Sequence, residues 1–513
     1  MATVGSQTSY DDMPYEGGTA SGSHPDRLAA LGRLFRMEPR DVTNCRVLEI
    51  GCALGANLLP MAHALPNSEF TGIDSSTRQI EMGRAIVAEY GVSNLNLVAA
   101  DVRDIADWDR TFDYIICHGV LTWVPPEVQD AIVAACRALL APQGIAYISY
   151  NTLPGFHMRA GVGEMMRYHG RNFTNPQERL EQAKALLDFL VTTTERFASN
   201  DPDRNGYHDL LAHELRILNV APDYYLAHEH LVDEPTAFYL HEFLEFIAPH
   251  GLQYLGDSDL HTMMLRDLPD DVATSVNSIA GSQVALEQYR DFIVNRMFRR
   301  SLVCRSDVEL VRHISTDAIK SCIYRLNTER PEGNPWTIRK VGGFAAVVSD
   351  ANVAAVLDAL DAAMPHALDF ETLAARLPGG GAADEEHLCA ILLSLLSLDA
   401  VTFRTWSPET AATISERPRA FGPAARQAAA GSVMVPTPFH ESHTLHPFVA
   451  RMLPLVDGTR THGAIATAMK ELLDSGELVL AEQPADEAIS MTEAERLVND
   501  GLEQLRKPGL LVS

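Results

Sequence analysis

The sequence predicts a doubly wound α/β domain carrying a helical insertion, followed by an α+β region built from winged-helix-like units. Three observations carry this expectation. Short apolar strands alternate with helical periods from Arg46 to Asn151, a largely helical block runs from Phe156 to about Glu234, and the C-terminal part repeats one helix-helix-helix-strand pattern. With 513 residues, the chain has room for about three domains of ordinary size.

Strands read at Arg46–Ile50, Glu69–Ile73, Asn96–Ala99, Phe112–Cys117 and Gly144–Ser149, with the clearest helices between them at Thr77–Tyr90 and Glu127–Leu140. Strands apolar on both faces, joined by helices, make a parallel sheet whose ligands bind beyond the C-terminal strand ends. Pro176–Ala198 is the strongest helix of the block that follows. A helix at His241–His250 and a hairpin of Gly251–Gly256 with His261–Leu265 are expected to close the sheet, which makes the helical block an insertion over the strand ends.

Further on, Asn352–Ala363, Glu371–Leu377, Glu385–Leu398 and Ala400–Arg404 form the first repeat of the C-terminal pattern. Phe448–Leu455, Thr461–Leu473, Glu493–Arg506 and Leu510–Val512 form the second, and Thr492 with Glu495 reads as a capping box for its last helix. Both third helices are acidic, the reverse of what contact with a phosphate backbone requires.

Forty-one Lys and Arg against 68 Asp and Glu give a net charge of −27, which disfavours nucleic acid and anionic membrane as partners. The seven cysteines lack Cys-x-x-Cys spacing and read as free core thiols of a reducing, cytoplasmic compartment. Met1–Gly22 has no charged segment followed by an apolar one, so no secretory signal is expected there. The uncharged stretch Ala138–Met158 is long enough to span a membrane. Turn signals at Pro142–Gly144 and Asn151–Gly155 break it into shorter elements.

The strongest motif runs from Val47 to Asn57, a strand ending in a tight turn of small residues that opens a helix. A dinucleotide fingerprint would place glycines at 51, 53 and 56, and only Gly51 obeys. Glu49 ahead of Gly51-x-Ala53-x-Gly55 suits a ligand with an amino-acid tail and no pyrophosphate. Asp74 ends the second strand, where a carboxylate can accept from two ribose hydroxyls. Asp101 ends the third, placed to accept from an adenine amino group, and His118-Gly119 follows the fourth in a loop expected to face substrate.

In these four strand ends, taken in order, the sequence resembles the class I S-adenosylmethionine-dependent methyltransferases, with Ala53 where many members have glycine. A narrower resemblance is to methyltransferases with a methyltransferase regulatory domain, including bacterial lysine methyltransferases acting on rickettsial outer membrane proteins. It rests on Tyr10–Tyr15, His24–Leu28, His118–Pro125, Tyr150–His157, Tyr225–His230 and Tyr239–Phe243, and is looser beyond Asp271.

The resemblance implies a Rossmann-like methyltransferase sheet and S-adenosyl-L-methionine as cofactor, with S-adenosyl-L-homocysteine as product. It implies cofactor contacts at Tyr10, Glu49, Gly51, Cys52, Ala53, Gly55, Asn57, Asp74, Ser75, Asp101, Val102, His118 and Gly119. Tyr15, His118, Trp123 and Tyr150 are the candidate catalytic residues, and His157 is read as anchoring the insertion. His228 and His230 with their acidic neighbours lack metal-ligand spacing and cysteine support, so no metal is expected. No Asp/Asn/Ser-Pro-Pro-aromatic motif follows strand four, which argues against methylation of DNA bases.

The expected organisation is a cofactor-binding core at 1–155, a lid or regulatory insertion at 156–235 and closing elements at 236–270. A connecting region at 271–345 and winged-helix-like units at 346–410 and 430–513 follow. The expected function is methylation of a protein side chain, lysine above all, with a homodimer left open. Small-molecule methylation and a cofactor-bound interaction module without catalysis are the alternatives.

Overall fold

The computed structural model describes residues 15, 17–198, 205–220, 222–231, 235–330, 335–339, 345–377, 382–479 and 489–512. Tyr10 lies outside the described residues.

Seven strands form the main sheet: β1 (Arg46–Ile50), β2 (Glu69–Asp74), β3 (Leu95–Ala99), β4 (Phe112–Cys117), β5 (Leu140–Asn151), β6 (Leu252–Asp257) and β7 (Phe298–Arg305). Their order is β3-β2-β1-β4-β5-β7-β6. The first five run parallel, and β7 lies antiparallel between β5 and β6. β1 pairs with β2 on one side and β4 on the other, so the strand order reverses at β1 and a crevice opens at its C-terminal end.

Around the parallel strands lie α1 (Pro25–Leu34), α2 (Leu58–Ala64), α3 (Thr77–Tyr90) and α4 (Pro126–Leu139). Local chemistry sets their ends. Pro25 and Pro126 occupy first-turn positions where an N–H is not needed. Ser76 Oγ accepts from Gln79 N–H, and Gly91 ends α3 in the left-handed region at φ 66°.

Two sequence expectations change here. β5 starts at Leu140 rather than Gly144, because the register passes from Phe112↔Leu140 to Tyr114↔Ile145 and the turn residues form a bulge instead of reversing the chain. The closing hairpin does not form. Leu260–Met263 is a 3-10 turn, and the partner of β6 is β7, reached through helices Asp270–Ile279 and Gln283–Val294. β7 does not read as an inner strand because it carries consecutive arginines. Arg299 is nonetheless fully buried, its guanidinium 2.7 Å from Asp291, 3.1 Å from Glu287 and 3.4 Å from Asp257.

The insertion consists of α5 (Phe156–Gly170), α6 (Pro176–Ala198), α7 (Asn205–Val220) and α8 (Asp223–His230), packed on a small core of its own around Val162, Met166, Leu180, Leu187 and Leu211. The chain returns to the sheet through α9 (Leu240–Ile247), where Glu242 accepts from Tyr239 N–H at 2.9 Å.

In the C-terminal part, strand Ile323–Leu326 lies between Leu368–Asp369 and Val401–Arg404, against helices Ala351–Ala363, Phe370–Ala374 and Ala382–Ser397. This first winged-helix-like unit shares one continuous apolar core with α1 and the sheet. The second, built from helices Pro447–Met452, His462–Asp474 and Met491–Arg506, has a separate core. Its last helix is capped by Ser490, whose hydroxyl accepts from Glu493 N–H, so Thr492 falls inside the first turn and does not cap it. All seven cysteines are buried free thiols. Among the described residues no helix is long and apolar enough to cross a membrane.

Candidate active site

A cavity of about 800 Å³ opens at the C-terminal ends of the parallel strands. One part of its wall is made by Gly51, Ala53, Asp74, Ser75, Asp101 and Val102. Tyr15, Trp123, Phe156, Arg159, His228 and Glu229 make another, with His118, Gly119 and Phe298 also on the surface.

The turn after β1 is left-handed at alternate residues, with φ 74° at Gly51, 49° at Ala53 and 77° at Gly55. A Cβ on Gly51 would come within 2.4 Å of Val120 Cγ2, so no side chain fits there. Asp74 pins this turn: Ala53 N–H donates to its Oδ2 and Ser76 N–H to its Oδ1, each at 2.9 Å. Asp101 accepts from the backbone N–H and guanidinium of Arg103, which hold its carboxyl below the usual range.

Glu49, Cys52, Gly55 and Asn57 stand behind this wall rather than on it. The Glu49 carboxyl is buried and accepts from Asn57 Nδ2 at 2.8 Å, while its Oε2 has no hydrogen-bond partner. Burial pushes its pKa up to about 8, with the Asp74 charge adding to the shift and the Asn57 hydrogen bond opposing it.

His118 follows β4, its Nδ1 3.0 Å from the Tyr147 hydroxyl and its ring edge-on to Phe298. Burial lowers its pKa to about 4, and the Arg300 charge acts in the same direction, so the imidazole is neutral at neutral pH. Trp123 meets Phe156 edge to face at 6.2 Å, and Tyr15 meets His228 likewise at 6.2 Å.

Tyr150 is not in the cavity. Side chains alternate along β5, so Asn151 lines the site while Tyr150 points to the opposite face, stacked on Phe243 with its hydroxyl 2.9 Å from Ser301 Oγ. His157 is exposed on the first turn of α5, off the cavity wall.

Sequence reading did not place Arg159, His228 or Glu229 at the site. The signal available was the Tyr225–His230 run itself, but its His-x-His spacing resembles a strand, and the segment is helical. Residues two apart on a helix diverge by about 200°, so His228 reaches the cavity while His230 turns to Glu214 at 3.5 Å. Burial pushes Glu229 up to about 7, opposed by Arg159 and assisted by Glu214. Among the described residues no three His, Cys, Asp or Glu side chains group to hold a metal ion.

Three family models match: "Methyltransferase domain" over residues 47–144, "Predicted methyltransferase regulatory domain" over 222–305, and "PKMT, C-terminal winged helix domain" over 416–510. The regulatory-domain match thus takes in α8, which reaches the cavity, together with β6 and β7. The chain is similar to PKMT2 from Rickettsia typhi, solved in complex with AdoHcy, at 28% identity over 98% of this chain and 100% of that one, with a TM-score of 0.84. It is 39% identical to the uncharacterized protein RP028 of Rickettsia prowazekii over 46% of this chain and 92% of RP028. RP789 of the same organism is also 39% identical, over 64% of this chain, and the match spans only 59% of RP789's own length. Sheet order, cavity and matched segments agree: the chain belongs to the class I S-adenosylmethionine-dependent methyltransferases that carry a methyltransferase regulatory domain.

Proposed function

We propose that the protein transfers methyl groups from S-adenosylmethionine to lysine side chains of protein acceptors. The observation that supports this reading best is the likeness along nearly the whole chain to the AdoHcy complex of PKMT2, which extends to the winged helix and not to the sheet alone.

The residues present fit such a cofactor. Gly51 keeps its backbone on the cavity wall with no side chain between it and a ligand, and Glu49 Oε2 is a buried oxygen without a partner behind it. Asp74, held in place by the Ala53 and Ser76 N–H groups at the cavity wall, is assigned to the ribose hydroxyls. Asp101 and Val102 are assigned to the adenine, Ser75, His118 and Gly119 to the remaining cofactor surface, and Cys52, Gly55 and Asn57 to support of the turn. Tyr10 keeps its expected cofactor role on the resemblance alone.

When bound, the cofactor supplies a methyl group already activated on a sulfonium. The chain's part is alignment and removal of water. Tyr15, Trp123 and Phe156 give the acceptor side of the cavity an aromatic lining that favours a neutral amine over a hydrated ammonium. Neutral His118 adds no positive charge against the sulfonium. Tyr150 is assigned to the core. The acidic surface and acidic third helices favour protein over nucleic acid as the acceptor.

The test is transfer of a radiolabelled methyl group onto lysate. Label in protein bands that hydrolyse to methyl-lysine is expected. Label confined to small metabolites would favour small-molecule methylation, and none at all an interaction module.

A further inference from the structure

The carboxylates on the cavity wall are not alike. Asp74 is held by two backbone N–H groups and Asp101 by Arg103, while Glu127 is exposed on α4. Glu229 is mostly buried, its side chain 20% exposed, and its nearest opposite charge is the Arg159 guanidinium at 4.0 Å. That guanidinium is already committed to Glu214, to which its Nε donates at 3.2 Å. Among the described residues no hydrogen bond reaches the Glu229 carboxylate. Arg159 lies one turn from Phe156, which meets Trp123, and His228, next to Glu229, meets Tyr15. A weakly paired carboxylate on a cavity wall shared with Tyr15, Trp123 and Phe156 is placed to attract an organic cation.

We propose that Glu229 binds the acceptor's ammonium group and takes its proton, making it the general base of the transfer. This rests on the lysine reading above. The ammonium gives one proton to the Glu229 carboxylate, leaving a neutral amine and a carboxylic acid. The nitrogen lone pair then forms the new N–C bond as the C–S bond breaks, its electron pair staying on sulfur. The products are an N-methylammonium and a thioether, and the Glu229 proton leaves to solvent as the acceptor departs. A proton acceptor titrating near 7 suits this task, whereas His118, at about 4, binds a proton too weakly. Among the described residues the charged groups paired with or facing α8 are Arg159 and Arg167 of α5, Lys184 of α6 and Glu214 of α7, with Tyr15, His228 and His230 as further titratable side chains.

The test compares full-length wild type with Glu229→Gln and Glu229→Asp, using labelled S-adenosylmethionine and the lysate proteins the wild type labels. Glu229→Gln is expected to lower methyl-lysine formation by about a hundredfold or more, with S-adenosylhomocysteine affinity within about twofold. Glu229→Asp should recover part of the rate. The wild-type rate should rise through about pH 7, and the Gln variant should lose that limb and follow the amine's own, higher ionisation. A Gln variant with near wild-type rate or the same limb overturns the proposal and leaves the lysine reading standing. Loss of cofactor affinity in parallel with rate makes Glu229 a structural residue, which also overturns it. If wild type makes no methyl-lysine, both fall.

Discussion

The imidazole Nε2 of His440 lies 2.8 Å from Oδ1 of Asn57, joining the C-terminal region to the helix opening behind the β1 turn. Asn57 Nδ2 donates to Glu49 Oε1 at 2.8 Å and to Ser23 Oγ at 3.2 Å, so its Oδ1 must accept. His440 therefore carries its proton on Nε2, and burial holds the ring neutral, its pKa well below the ordinary histidine range. A line of hydrogen bonds thus runs from the winged-helix end of the chain to the carboxyl behind the proposed cofactor site.

Removing the donor should loosen that turn. His440→Ala is expected to weaken S-adenosylhomocysteine binding by about 1 kcal/mol, the typical worth of one net hydrogen bond. Calorimetry on the full chain reads this directly, and His440→Gln, which restores an N–H, should recover part of it.

Asp74→Ala should do more, because it strips the Ala53 and Ser76 N–H groups of their acceptor as well as removing the proposed ribose partner. A loss of at least 1.5–3 kcal/mol in cofactor affinity is expected, roughly the range for hydrogen bonds to a charged group. Titration with S-adenosylhomocysteine checks it, and NAD should not bind to either protein.

Ala53 sits at φ 49°, where an L side chain is strained by about 1–2 kcal/mol. Glycine removes that strain but adds about 0.5–1 kcal/mol of unfolded-chain entropy to be lost. Ala53→Gly should therefore stabilise the fold by about 0–1.5 kcal/mol net, seen as a higher urea midpoint with an unchanged slope.

Burial of Glu49 makes stability depend on pH in a defined direction. Its folded pKa of about 8 stands above the ordinary glutamate value of 4.5. The folded state therefore keeps a proton that the unfolded chain has released. This group's contribution is fully present below about 4.5 and is lost as pH rises through about 8. Glu49→Gln, which needs no ionisation, should gain stability relative to wild type between pH 5 and pH 8.5 in urea denaturation.

The insertion packs on its own core and sends Arg159, His228 and Glu229 to the cavity. Replacing 159–233 by a short Gly/Ser linker should leave S-adenosylhomocysteine affinity within about tenfold, near 1.4 kcal/mol, while methyl transfer to protein disappears. Retained transfer would move acceptor recognition elsewhere in the chain.

The residues along the chain were by themselves sufficient for the parallel strands, the Gly51–Gly55 turn and the acids at the ends of β2 and β3. Each of these is a local event: an apolar run long enough for one strand, then small residues where the backbone must turn left-handed. Other features waited on the tertiary structure because they depend on partners far along the chain. β7 is an inner strand only because Asp257, Glu287 and Asp291 neutralise Arg299, which no local pattern announces. Tyr150 left the site because one step along β5 reverses the face, and register is set by neighbouring strands. Glu229 entered it because α5, α6 and α7 carry a short polar helix back over the strand ends. His440 met Asn57 through folding alone, since a hydrogen bond between residues so distant in sequence exists only once the domains have closed on each other.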